Sequence, residues 1–355
     1  MATRMKDIAA ELGLSVVTIS KVLRDHPDIS SETRERVLKR VKELNYSPNA
    51  MARSLVTGRS YLVGLVVPDL LHPFFAEISV AISKTIREKG YSLIIASCEE
   101  DSDLEEQEIS QMVTRRLDGL IIAACSESTR ILERLDEQDQ PFVLIDRSYP
   151  GFAANFVGMD DKAAGRLATE HLVEMGCKRV AHIRGRDNST GIDRMLGYQE
   201  ALQAAGLPMH SKYVIMRNKV DSDSRQQGAE AAQRLLAARP RPDGIFCYND
   251  PMAIGAMRTI LDAGLRIPED IAIVGCGNLH YDDLLRVPLS SIDQQSGEMG
   301  ERAGSLILAQ IDAKQGRPRP KNVVLQPRLV VRASSARLAG DEHPIAFMAP
   351  GNDPR

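Results

Sequence analysis

Two groups of residues in this chain have types and spacings that could do chemistry, and both would act by binding. The first is the run Ser15-Val16-Val17-Thr18-Ile19-Ser20-Lys21. Methyl, hydroxyl and ammonium groups gathered on one helix face suit thymine methyls, base edges and phosphates in a DNA major groove. The second group follows the ends of apolar runs: Asp69 with Phe74 and Phe75, Asp146 with Arg147, Thr190 and Arg194 at a Gly/Ser/Thr-rich stretch, Asn188 to Gly191, that reads as a loop, and Asn249 with Asp250. Carboxylate and guanidinium groups there suit charge-assisted hydrogen bonds to hydroxyls, and the phenyl rings suit the apolar face of a sugar or a base. Catalytic patterns are absent. Gly275-Cys276-Gly277 lacks the third glycine of a dinucleotide loop, there is no P-loop, HExxH or GxSxG, and the seven histidines lack metal-ligand spacing. No enzyme, metal or cofactor is therefore expected.

The elements that must position the first group lie at the start of the chain. Ile8, Ala9 and Leu12 recur at helical spacing, Gly13 interrupts the period, and Leu14, Ile19, Val22 and Leu23 resume it. This spacing predicts two short helices meeting at a glycine turn, with Ser15 capping the second and small Ala9 allowing close approach. Val16, Val17, Thr18, Ser20 and Lys21 are left outward, although the spacing of Val16 to Ile19 and Leu23 also suits a core position. A third helix is expected over Ser31 to Leu44, with Ser31 as its cap and Val37, Leu38, Val41 and Leu44 on one face. The stretch from Tyr46 to Leu55 reads as a linker too short for a stable isolated helix.

From Tyr61 the pattern becomes short apolar runs alternating with amphipathic segments. The runs are Leu62 to Val67, Ser92 to Cys98, Gly119 to Ala124, Phe142 to Asp146, Val180 to Ile183, Tyr213 to Met216, Gly244 to Tyr248 and Ile271 to Gly275. Such alternation predicts an α/β fold of parallel sheets covered by helices, in two series broken near Asp160. Ligands of such sheets sit outside the carboxyl ends of the strands, which is where the second group falls.

Charge divides the chain in the same way. Residues 1–59 carry eleven Lys/Arg against seven acids, a net +4, while the whole chain is −3. A basic head on an acidic body suits a protein that touches phosphates with one end. Five widely spaced cysteines without a CxxC pair fit reduced core thiols in a cytoplasm. Nothing at the N-terminus resembles a signal peptide, and no apolar run is long enough to span a bilayer, so no membrane partner is expected.

Lys6-Asp7-Ile8-Ala9, Val16-Val17-Thr18-Ile19-Ser20, Tyr46-Ser47-Pro48-Asn49 and Ala52-Arg53-Ser54-Leu55 together resemble the lactose-repressor (LacI/GalR) family, and the likeness continues to about residue 335. The resemblance implies a helix-turn-helix DNA-binding head over 1–47, a hinge helix over 48–60, and a two-lobed periplasmic-binding-protein-like domain over 61–337. The N-lobe would take about 61–160 and 293–325 and the C-lobe about 161–292 and 326–337, with crossovers near 160, 292 and 325. The tail, 338–355, is expected to be mobile. A homodimer on a palindromic double-stranded operator is implied, with Thr3, Lys6, Ser15, Val16, Val17, Thr18, Ser20 and Lys21 of the head and Asn49, Ala52 and Arg53 of the hinge touching DNA. Leu55 would wedge into the central base step of the minor groove. The same resemblance strengthens Asp69, Phe74, Phe75, Asp146, Arg147, Thr190, Arg194, Asn249 and Asp250 as effector contacts and adds Gln294 at a crossover. One departure is visible: many members carry an acid where this chain has Gly277.

The expectation is a cytoplasmic, effector-controlled transcription regulator, a repressor in sign, with a sugar or sugar derivative as effector. A nucleobase-responsive regulator, a constitutive DNA binder with an unused cleft, and a solute-binding module with a vestigial head are the alternatives. Single residues have alternatives too: Asp146 and Asp250 as helix caps or inter-lobe ion pairs, Phe75 as core, and Leu55 as an exposed linker residue.

Overall fold

Three helices form the head, α1 (Met5–Leu12), α2 (Val16–Leu23) and α3 (Ser31–Glu43), closed around Ile8, Ala9, Ile19, Val22 and Val37. Gly13 ends α1 at φ +66°, a left-handed position that costs a residue without Cβ nothing. The Ser15 hydroxyl then accepts from the Thr18 amide at 3.0 Å and opens α2. Ser30, one residue before the expected cap, accepts from Thr33 N at 3.3 Å, so Ser31 is the first residue of α3. Arg40 reaches back to Glu11 at 2.6 Å and ties α3 to α1 on the surface.

This is a computed structural model, and it describes residues 4–23, 26–46, 54, 57–126, 128–216, 224–313 and 319–337. Thr3, Asn49, Ala52, Arg53 and Leu55, and the tail from residue 338, lie outside the described residues. The chain divides into two units, Met1–Tyr61 and Leu62–Arg355.

The second unit holds two six-stranded sheets. Its elements run β1 (Leu62–Val67), α4 (Pro73–Arg87), β2 (Ser92–Ser97), α5 (Ser102–Thr114), β3 (Gly119–Ile122), α6 (Arg130–Glu137), β4 (Phe142–Ile145), β5 (Phe156–Met159) and α7 (Asp161–Glu174). They continue with β6 (Val180–Arg184), α8 (Ser189–Ala204), β7 (Val214–Met216), α9 (Ser224–Ala237), β8 (Gly244–Cys247), α10 (Asp250–Asp262), β9 (Ala272–Gly277), β10 (Ser290–Asp293), α11 (Ser296–Ile311), β11 (Asn322–Leu325) and β12 (Arg328–Val330). The first sheet has the order β11-β5-β4-β3-β1-β2 and the second β12-β10-β9-β8-β6-β7. All described pairings are parallel except β10 with β12. The chain thus leaves the first sheet after β5, builds most of the second, returns for β11 and ends on β12.

Central strands such as β1 and β9 are apolar throughout because helices cover both faces of each sheet. In each sheet the strand order reverses once, between β1 and β3 and between β6 and β8. Those reversals open a crevice at the carboxyl ends of the strands. Helices α7 and α8 pack closely beside the second: side chains at Gly165 and Gly197 would collide with the Arg194 and Lys162 carbonyls. That approach sets Arg194 against Asp161.

Candidate functional site

On α2 the structure leaves Val16 and Val17 45% and 64% exposed, while Ile19 and Val22 enter the core. Val16 is therefore a surface residue, and the two valines form an apolar patch facing outward. Thr18 and Ser15 are engaged with each other at 2.9 Å, which fixes the helix start and presents both hydroxyls. The Lys21 ammonium lies 3.3 Å from the Asp28 carboxylate, so a phosphate would compete with that acid. Lys6 is exposed on α1.

The effector residues come together more tightly. Asp69, Phe74, Phe75, Asp146, Arg147, Arg194, Asn249 and Gln294 line one pocket of about 40 Å³ at the strand ends of both sheets. Phe74 and Phe75 are buried edge to face, 5.1 Å apart and inclined at 67°. Phe75 is therefore both core and pocket wall. Asp146, at φ +66° just past β4, is buried, and its nearest ion-pair contact is Arg147 Nε at 3.8 Å. Among the described residues no donor hydrogen-bonds its carboxylate, and burial raises its pKa. Its oxygens open onto the pocket, where a donor from a ligand could meet them.

The two arginines are already engaged. Arg147 gives Nη2 to Glu100 at 2.9 Å and Nη1 to the Ala124 carbonyl at 3.1 Å, leaving its buried Nε without a hydrogen bond, only the 3.8 Å ion-pair contact with Asp146. Glu100 is also gripped by Arg186 at 3.0 Å, which links the two lobes because Arg186 follows β6. Arg194 donates Nε to Asp161 at 2.7 Å and Nη1 to the Tyr248 carbonyl at 2.6 Å, and lies 4.6 Å over the Tyr248 ring. The reading of Asn188 to Gly191 as a loop is corrected: Asn188 caps α8 by accepting from Gly191 N at 2.9 Å, and Arg194 lies on that helix facing a cleft acid. Burial pushes the Asp161 carboxyl up to about 7 against the pull of Arg194.

Two expected contacts stand behind the pocket wall. Thr190 is buried and hydrogen-bonds the Tyr248 hydroxyl at 2.7 Å, so it positions that ring. Asp250 points into the interior, accepting from the Ser291 hydroxyl at 2.6 Å and Leu279 N at 3.3 Å. The wall also takes His72, Glu100, Ser224 and Tyr248, which sequence reasoning missed. Tyr248 was legible as the last residue of an apolar run; Glu100 looked like one of several solvated acids.

The family model described as "Bacterial regulatory proteins, lacI family" matches residues 4–49, and "Periplasmic binding proteins and sugar binding domain of LacI family" matches 60–333. The chain belongs to the LacI family. It is 32% identical over 344 residues to the HTH-type transcriptional repressor PurR of Mannheimia succiniciproducens, covering 96% of this chain and all of that one. The Ribose operon repressor of Halalkalibacterium halodurans is 33% identical over 314 residues, 88% of this chain and 91% of the relative. The solved CelR–cellobiose complex is 28% identical with a TM-score of 0.71, covering 94% of this chain and 99% of that one. As a LacI-family member the chain is a DNA-binding transcriptional regulator with a ligand-binding domain. No helix among the described residues is long and apolar enough to cross a membrane.

At Gly277, where the resemblance leads one to look for an acid, the backbone has no room for a side chain. A Cβ at Gly275 or Gly277 would run into the Asp250 carboxylate. Asp282 lies beside it, both carboxylates accepting from Leu279 N, and burial and the charge of Asp250 push the Asp282 carboxyl up to about 9. The space is thus filled by an internal acid pair, and a LacI-family ligand that needs an acid at position 277 has no such partner here.

Proposed function

We propose that this chain is a homodimeric, cytoplasmic, non-enzymatic repressor whose grip on a palindromic operator is set by a sugar-like effector bound between its lobes. The observation that carries the effector half is Asp146: a buried carboxylate at the junction of both sheets, without a hydrogen-bond donor among the described residues, beside aromatic walls and the Gln294 amide. A sugar supplies several hydroxyl donors and an apolar ring face, which this combination suits. Two similar proteins, a ribose operon repressor and a regulator solved in complex with cellobiose, support the class. The lobes are taken as about 61–160 with 293–325 and 161–292 with 326–337. Residues 48–57 would order as the hinge, with Leu55 entering the minor groove. Phe74, Phe75 and Tyr248 favour a nucleobase as the second reading, because planar rings stack.

A thermal-shift screen of sugars, sugar acids and nucleobases tests the reading, since a ligand of the native state raises Tm by mass action. Any hit is then added to a DNA-binding titration on an operator selected from random palindromes. A sugar that raises Tm in the wild type, not in Asp146→Ala, and shifts operator affinity supports the proposal. A ligand that leaves operator affinity unchanged overturns it. Leu55→Ala should weaken operator binding while ligand affinity is retained; unchanged operator binding removes Leu55 from the hinge.

A further inference from the structure

Outside the pocket and the DNA face, one side-chain cluster has unclaimed chemistry. Cys98 follows β2, Cys125 follows β3, and their sulfurs meet 3.1 Å apart beyond the end of β1, which lies between the two strands. Glu105, from the first turns of α5, brings its carboxylate to the same point, and a sulfur of each cysteine and a carboxylate oxygen all lie within 4.8 Å of one another. The three other cysteines sit singly in the second sheet's surroundings, at 177, 247 and 276. From the geometry we infer that Cys98, Cys125 and Glu105 form a binding site for one Zn2+ ion.

Several features carry this. Two thiolates and a carboxylate are the donor set that soft and borderline cations select over Mg2+ or Ca2+. At a metal–sulfur distance of about 2.3 Å and a tetrahedral angle, two sulfurs stand about 3.8 Å apart. The thiols need to spread by roughly 0.7 Å from their 3.1 Å contact, without refolding of either turn. Glu105 has its oxygens on Cys125 N at 2.8 Å and Ser126 N at 3.0 Å, and each oxygen keeps a second lone pair for an ion. The backbone bonds hold that carboxylate in place. Cys125 also lines an adjoining cavity of about 300 Å³, which shares Glu100 and Arg147 with the effector pocket and would give an ion an entry path and a water as the fourth ligand. The nearby cation, Arg147, is paired with Glu100, although its field still reaches Glu105 and Cys125 and favours their anionic forms.

The site would act on the effector pocket through one turn. Cys98 and Asp101 flank Glu99 and Glu100, both at positive φ, and Cys125 Sγ reaches the Asp101 carbonyl at 3.5 Å. A metal between Cys98 and Cys125 would pin the turn that presents Glu100 to Arg147 and Arg186. The inference does not depend on which effector fills the pocket.

Titration of the reduced full chain with Zn2+ against a chromophoric chelator tests it, with Cd2+ as the probe for a thiolate charge-transfer band. One equivalent should bind. Cys98→Ser and Cys125→Ser should each weaken binding about 100-fold or more and Glu105→Gln about tenfold, while Cys177→Ser leaves it unchanged. Should a variant fail to fold, alkylation of the wild type decides: Zn2+ should protect Cys98 and Cys125 and no other cysteine. Equal Zn2+ affinity in wild type and the Cys98→Ser/Cys125→Ser double variant, or no protection, overturns the inference. So does a reduced protein without Zn2+ affinity whose Cys98 and Cys125 are joined by hydrogen peroxide, which would assign the pair to redox chemistry.

Discussion

Replacing Glu100 by Gln should separate two jobs that one carboxylate performs. Both it and Arg147 are about 8% exposed, and the pair is joined at 2.9 and 3.3 Å. Removing one charge of a buried pair leaves the other uncompensated, which costs about 3–5 kcal/mol. The amide oxygen of Gln still accepts one bond, so a loss near about 3 kcal/mol in urea unfolding is expected. The second arm, Arg186 to Glu100 at 3.0 Å, joins the lobes, and Arg186 is 32% exposed. Arg186→Met keeps the apolar stem and removes only this arm, which is worth about 1 kcal/mol or less. That shifts the ratio of closed to open lobes by up to about fivefold with little change in unfolding. The readout for closure is the Ser148 amide, which donates across the cleft to Ser189 Oγ at 3.1 Å. Its hydrogen exchange should quicken by up to about fivefold in Arg186→Met and at least as much in Glu100→Gln. If Glu100→Gln unfolds within about 0.5 kcal/mol of wild type, or Ser148 exchange is unchanged in both variants, the two-armed account of Glu100 is wrong.

Three further outcomes follow from the same geometry. Arg194→Ala leaves Asp161 buried without its cation and should destabilise by about 3 kcal/mol at pH 8. The loss should be smaller at pH 6, because a carboxyl already raised to about 7 takes up a proton once the guanidinium is gone; equal losses in Tm at the two pH values would refute this. Val17→Glu, on a residue 64% exposed, should alter stability by less than about 0.5 kcal/mol yet weaken binding to the selected operator at least tenfold in an anisotropy titration. Asp282 has a folded pKa raised to about 9, so between the ordinary carboxyl range and pH 9 unfolding releases its proton and stability falls as pH rises, levelling off above. Asp282→Asn should flatten that slope in a Tm series from pH 5 to 9, and an unaltered slope would move the titration elsewhere.

Where an apolar run is covered on both faces, its boundaries are legible: Leu62 to Val67 is β1 residue for residue. Two of the strands that escaped notice, β10 and β12, have polar or very short sequences. Strand β10 reads Ser290-Ser291-Ile292-Asp293, and its serines are buried because Ser290 N finds Ser334 Oγ at 2.8 Å and Ser291 finds Asp250, partners far away in sequence. Strand β12 is three residues long and exists by pairing with β10. The start of α8 looked like a loop because Ser, Thr and Gly follow Asn188, yet the same Asn is a strong N-cap, and Gly191 is required by close contact with the Arg186 carbonyl. At the pocket the strand-end rule located the neighbourhood of each polar residue but not its direction. Asn249 faces the cleft and adjacent Asp250 faces inward, a distinction set by the helix that begins there. Cys98 and Cys125, separated by 27 positions, were invisible as a pair because β1 alone brings the ends of β2 and β3 together.

The size and wiring of the pocket bear on how an effector would be read. A cavity of about 40 Å³ takes about three waters, whereas small-molecule sites usually run to about 300–1,000 Å³. Arg147 and Arg194 already spend most of their donors on Glu100, Asp161 and backbone carbonyls. A ligand of sugar size therefore has to part the lobes or displace those side chains before it reaches Asp146. In doing so it exchanges internal bonds for its own, so its affinity depends on how far the cleft is already held shut by Glu100, Arg186 and Ser189. Effector binding and lobe position are then linked in both directions: weakening the closing bonds without touching the pocket raises ligand affinity, by at most the factor by which the closed-to-open ratio falls. Arg186→Met, which lies off the pocket wall, is the variant in which that gain is readable, and a fall in ligand affinity there would mean that the ligand prefers the closed lobes.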